Sequence, residues 1–198
     1  MRSGVEASQA SGPWLVLGLG NPDPEYANTR HNAGAMVVRR LAERFGVHLK
    51  RSRQRAEVAE VRDGDERIVL ARPSSYVNES GGPASLLVRY YKVPLERLIV
   101  VHDEIDLAAG KLQVRRGGGT AGHNGLKDVV KALGSPDFLR VRLGVGRPPG
   151  RQDPADYVLD QIPKRLAEDF AVLVERGADA VIDLVHLPLE RAQDRNNR

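Results

Sequence analysis

Two short apolar runs constrain this chain more than any other feature. Trp14–Leu19 and Leu98–Val101 each have the length of one buried strand. Each stops abruptly at polar residues, the first at Gly20-Asn21-Pro22 and the second at His102-Asp103. Around them the apolar period changes to that of a helix. Ala33, Met36, Val37, Leu41 and Phe45 form one stripe, with Asn32 expected as N-cap and Gly46 as the stop. Leu126, Val129, Val130 and Leu133 form another, with Asn124 near its start. Val58, Val61 and Ile68–Leu70 suggest a hairpin turning at Asp63-Gly64, and Pro83–Tyr91 reads as a helix that ends before Pro94.

Leu112–Val114 reads as a short alternating strand, and Phe138–Val145 as a strand with Arg140 and Arg142 on one polar face. Residues 146–156 are rich in proline and glycine and read as a long loop. Two closing helices are expected, 163–176 and 178–187. Strands that alternate with helices, interrupted by one hairpin, imply an α/β fold. We expect a single domain with a twisted mixed, mostly parallel sheet and helices on both faces.

The domain is expected over residues 14–190 of the 198, after a disordered extension over 1–13 and before a polar, frayed tail over 191–198. Residues 1–13 lack the apolar core of a secretion signal, and no apolar run approaches the ~20 residues of a membrane helix. The chain has no cysteine, so neither disulfides nor thiolate metal sites enter the argument. We expect a cytoplasmic monomer without a membrane partner. The formal charge of +4 is a weak pointer to a polyanion. Its distribution is more informative: Arg39–Arg55 is one basic stretch, and Lys111, Arg115, Arg116, Lys127, Lys131, Arg140, Arg142, Arg147 and Arg151 form another.

Ligands of open α/β sheets bind beyond the carboxyl ends of the strands. Asn21, Asn78 and Asp103 follow strands, while His31 and the pair His123-Asn124 open helices, so five segments can converge on one cleft. His31 is the candidate general base because an imidazole titrates near neutrality. Asp103 is its candidate orienter, since a carboxylate on one ring nitrogen fixes the tautomer and raises the basicity of the other. His102 reads as a core residue beside Asp103, and His123 as a partner of the glycine-rich loop.

Other chemistries lack their residues. Gly18-Leu-Gly-Asn-Pro22 begins like a dinucleotide fingerprint but has no third glycine, and Gly117–Gly122 is followed by no Lys-Ser or Lys-Thr pair. No Gly-x-Ser-x-Gly elbow is present. The histidines near Asp103 show no metal-ligand spacing, so neither metal nor cofactor is expected.

Six segments together resemble the bacterial-type peptidyl-tRNA hydrolases. They are Gly18-Leu-Gly-Asn-Pro22 with Tyr26, Thr29-Arg-His-Asn-Ala-Gly34, Val77-Asn-Glu-Ser-Gly81, His102-Asp-Glu-Ile-Asp-Leu107, Gly117–Lys127 and Arg140–Pro148. The resemblance implies a metal-free esterase that frees tRNA from a peptide, with His31 activating water, Asp103 as its partner, and Asn21 beside them in the catalytic set. It implies that Asn78 and Asn124, with Tyr26 and His123, hold the peptide and the water. An amide suits that work because it donates and accepts without charge. It also gives Arg115 and Arg142, with Lys111 and Lys127 as neighbours, the phosphates of the tRNA acceptor arm. The runner-up implication is a structured-RNA binder without catalysis, similar to plant organellar splicing factors. Three residues depart from the family pattern: Asp23 for glycine after the Asn-Pro pair, Val77 for methionine, and Gln113 for lysine.

Overall fold

The computed structural model describes residues 10–198. Its sheet has seven strands in the order β2-β3-β4-β1-β5-β7-β6, with β1 at Trp14–Gly18, β2 at Lys50–Arg51, β3 at Ala56–Asp63, β4 at Glu66–Pro73, β5 at Leu98–Glu104, β6 at Leu112–Arg116 and β7 at Leu139–Gly144. The four central strands β4, β1, β5 and β7 run parallel, and β2, β3 and β6 pair antiparallel at the two sides. Both apolar runs therefore lie at the centre, where a strand covered on both faces has no polar side to show.

Helix α1 (Ala33–Arg44) and the long α5 (Ala167–His186) cover one face through Val37, Val38, Leu41, Leu173, Ala178 and Val181. Helices α2 (Gly81–Tyr91) and α3 (Asn124–Leu133) cover the other through Ala84, Leu87, Leu126 and Val129. The chain leaves β1 towards one face and β4 towards the other. Their carboxyl ends, with that of β5 on the other side of β1, consequently open into a crevice, where ligands of such sheets bind. No helix of the described residues is long and apolar enough to cross a membrane.

Three expectations need correction. The two closing helices are one, because Gly177 does not break α5. A Cβ there would come within 2.8 Å of Val37, so this glycine serves close packing of α5 on α1. The loop expected over 146–156 ends early, since Asp153 caps and Pro154 opens a short helix α4 (Pro154–Leu159), with the Asp153 carboxylate accepting from Ala155 N–H at 2.9 Å. The tail is not frayed: Leu189–Asn196 is helix α6, with Ala192 fully buried. Beyond it, the Asn197 side chain accepts from Val114 N–H at 2.7 Å and donates to Val114 C=O at 3.1 Å. One amide thus imitates a neighbouring strand and closes the outer edge of β6. Of the expected extension, residues 1–9 lie outside the described residues, and Gly12 C=O accepts from Arg97 at 2.8 Å.

Two glycines decide how deeply the start of α1 sits on the sheet. A Cβ on Gly18 would meet Gly34 O at 2.2 Å, and one on Gly34 would meet Val101 O at 2.0 Å. Backbone bonds lock this approach, with Ala35 N–H donating to Leu19 O and Leu19 N–H to Val101 O, both at 3.0 Å. Glycines 18 and 20, which resemble a nucleotide loop in sequence, here make room for a helix. The contact carries the turn before α1, residues 30–32, onto the end of β5. We expect Gly34→Ala to cost about 1–3 kcal/mol by forcing α1 outward, measured by urea denaturation, and to reduce turnover more than the lost stability explains.

Candidate active site

The crevice is a cleft of about 820 Å³ at the carboxyl ends of the parallel strands. Its walls include Asn21, Tyr26, His31, Asn78, Asp103, His123 and Asn124, so every residue expected in the catalytic and peptide-binding set meets there. Asp103 lies on the floor. Its side chain is 2 % exposed and takes two imidazoles: His31 Nδ1 donates at 3.0 Å and His123 Nε2 at 2.9 Å.

The tautomers follow from the neighbours. His123 Nδ1 accepts from Leu126 N–H at 3.1 Å, capping α3, so its proton lies on Nε2 and points at Asp103. Asn124, expected near the start of α3, is its first residue, and the cap is His123. His31 gives its Nδ1 proton to the same carboxylate, which leaves the Nε2 lone pair free to accept a proton. The two rings lie 4.8 Å apart.

The ligand atoms of His31, Asp103 and His123 fall within 4.8 Å of one another, close enough to suggest a metal site. The donor set does not fit one. With Nδ1 committed to Leu126 N–H, His123 Nε2 carries a hydrogen and has no lone pair to offer an ion. The cluster is a hydrogen-bonded relay.

Burial depresses the basicity of the His31 ring, but the charge of Asp103 and the bond to it outweigh that and hold its pKa above 6.5. Burial likewise disfavours the Asp103 anion, yet the two imidazoles prevail and hold its pKa well below the usual carboxylate range. His102 lies fully buried and donates from Nδ1 to Asp103 C=O at 2.8 Å. Desolvation, with His123 adding to it, lowers its pKa to about 3. Between pH 6.5 and 3 the unfolded ring binds a proton that the folded ring refuses, so stability falls as pH drops through that window.

Asn32, expected as a cap for α1, makes no capping bond. Its side chain instead accepts from Asn21 N–H and donates to Asn21 C=O, both at 2.9 Å. The Asn21 side-chain oxygen accepts from Val77 N–H at 2.8 Å. These bonds leave the two amide hydrogens of Asn21 as its free polar group at the cleft. Asn78 and Asn124 are exposed on the same walls. Sequence reading missed Asn32 because an asparagine before a helix is read first as a cap. It also missed α4, which supplies Pro154, Ala155, Val158 and Leu159 to the cleft lining; the Asp-Pro pair was the available signal.

The basic residues divide. In α1, Arg40 pairs with Glu43 and Glu175, and Arg44 with Glu175 and Asp179, so part of the first stretch binds α5. Arg115 and Arg142 stand on β6 and β7, with Arg140 opposite Arg115. Arg140 is buried under the glycine-rich loop, donating to Gly119 C=O at 2.6 Å and Pro136 C=O at 3.0 Å. Arg142 is 12 % exposed, pairs with the buried Glu104 at 3.3 Å and donates to Gln113. Arg115 is half-buried, and Lys111 and Lys127 are exposed.

The family model described as peptidyl-tRNA hydrolase matches residues 15–198. The peptidyl-tRNA hydrolase of Frankia alni is 54% identical over 184 residues, covering 93% of each chain. That of Streptomyces avermitilis is 50% identical, covering 96% of each. The crystal structure of peptidyl-tRNA hydrolase from Acinetobacter baumannii superposes with a TM-score of 0.88 at 32% identity, covering 96% of this chain and 97% of that one. The chain belongs to the peptidyl-tRNA hydrolase family.

Proposed function

We propose that this chain hydrolyses the ester joining the C-terminal residue of a peptide to the 3′-terminal ribose of tRNA, with His31 as the base. One observation carries the assignment of the base: an imidazole with a free Nε2 stands in a cleft walled by three amides and is held at Nδ1 by a buried carboxylate. Water gives its proton to His31 Nε2 as its oxygen attacks the ester carbonyl. The amide hydrogens of Asn21 meet the developing oxyanion, and the proton then passes to the departing ribose oxygen. Asn78, Asn124 and Tyr26 hold the peptide, and His123 fixes Asp103. The products are a free peptide and a tRNA returned to translation.

The phosphates of the acceptor arm fall to Arg115, Lys111 and Lys127, with Arg142 beside them. Such contacts carry no sequence information and suit an enzyme that accepts many tRNAs. The same reading places the enzyme in the cytoplasm, where translation supplies the substrate, acting as a monomer. A binder without catalysis gains nothing from a desolvated carboxylate serving two imidazoles, so that alternative is not favoured.

His31→Ala should lower kcat by about 10²–10⁴-fold while tRNA binding survives; near wild-type turnover of a peptidyl-tRNA would remove His31 as the base. Only the neutral ring accepts a proton, so kcat/KM should fall as pH drops through a value above 6.5. Asp103→Asn removes the charge that raises that value. Its acid limb should move to lower pH while its plateau drops, as measured in kcat/KM profiles.

Arg115→Gln should make the salt dependence of tRNA affinity shallower by about 0.9 in log–log slope. Arg142→Gln should change the slope less and lower Tm, because it leaves the Glu104 carboxylate buried without its cation.

A further inference from the structure

Tyr76 stands on the wall of the cleft with half of its surface exposed. A half-exposed ring is ordinarily free to change rotamer within nanoseconds. Here its hydroxyl donates to the Asp23 carboxylate at 2.8 Å. Asp23 lies between Pro22 and Pro24, whose rings fix φ, so the acceptor projects from a stiff stretch of backbone. One residue along, Val77 N–H donates to Asn21 at 2.8 Å. The loops after β1 and β4 are therefore joined twice, by an inner bond within the amide set and an outer bond at the rim. Asp23 is not itself part of the cleft wall and acts through Tyr76.

The same cleft is lined by Pro154, Ala155, Val158 and Leu159 of α4, with Leu159 39 % exposed. An aromatic ring held in place in a cleft that also presents aliphatic side chains offers a subsite to an apolar side chain, and Arg147 of the same cleft is tied to Asp106 at 2.6 Å. We propose that Tyr76 is a specificity-determining residue, locked by the positioning residue Asp23, and that the two make this enzyme favour peptides ending in apolar residues over those ending in acidic ones. The inference rests on the ester hydrolysis proposed above and goes beyond it by assigning the side chain selected.

The test compares one tRNA carrying N-acetyl-Leu-Leu or N-acetyl-Glu-Glu. Turnover of the Leu-Leu substrate by wild-type protein reports on the parent reading alone, and the ratio of the two kcat/KM values reports on the subsite. We expect the wild type to prefer Leu-Leu about tenfold, the low end of the about 10–200-fold that a single methylene discriminates in an apolar pocket. Tyr76→Phe keeps the ring but loses the lock, and Asp23→Gly removes the acceptor; each should bring the ratio to about threefold or less, mainly through KM. The double variant should match either single variant, because both cut the same bond. Asp23→Asn still offers an oxygen to the hydroxyl and should retain most of the preference. A wild type indifferent to the two peptides, single variants that keep its ratio, single effects that multiply in the double variant, or an Asp23→Asn as indifferent as Asp23→Gly would each overturn the proposal.

Discussion

A carboxylate with almost no contact with water must be compensated, and the way Asp103 is compensated organises the rest of the molecule. An ion withdrawn from solvent persists only where donors replace the water it has lost. Asp103 receives them from two segments that are distant in sequence, the turn at His31 and the cap at His123. Satisfying one charge thereby fixes the position of α1, the start of α3 and the end of β5 relative to one another. The same demand orients both rings. His123 is tied at both nitrogens and can only hold, whereas His31 is tied at one and keeps the other free. Two identical side chains acquire different chemistry from their second hydrogen-bonding partner.

Backbone geometry makes this arrangement possible. The turn bearing His31 reaches Asp103 because two glycines allow helix and sheet to approach at distances that no Cβ would permit. The amides are held in a similar way. Asn32 is bonded to both backbone groups of Asn21, whose side-chain oxygen is bonded to the next loop, so only its hydrogens remain for a ligand. Much of the polar set is thus buried support for a few exposed atoms, and preorganisation of that kind stabilises charge as it develops without cost at the moment of reaction.

The cationic surface shows how little a run of charges says without its partners. Arg40 and Arg44 look like part of a nucleic-acid patch in sequence and are engaged with α5. Arg142 is close to neutralised by a buried glutamate, and Arg140 is committed to backbone carbonyls beneath the glycine-rich loop. Arg115, half-buried, and Lys111 and Lys127, exposed, are not paired with a carboxylate among the described residues.

The layering, the strand centres and the residue types of the site are legible in the chain before it folds. Those features are written in local periodicity and in the polar residues that end apolar runs, and a strand buried on both faces leaves no ambiguity in either. What only the folded chain settles is which nitrogen of which histidine is free, that Asn32 supports Asn21 instead of capping α1, that Gly177 packs α5 where it could have broken it, and that α4 lines the same cleft as Tyr76. Each of these depends on a partner that is remote in the chain: Leu126 N–H for His123, Asn21 for Asn32, Val37 for Gly177, Asp23 for Tyr76. A side chain announces its capacity to donate, accept or pack, but the fold chooses the atom it meets.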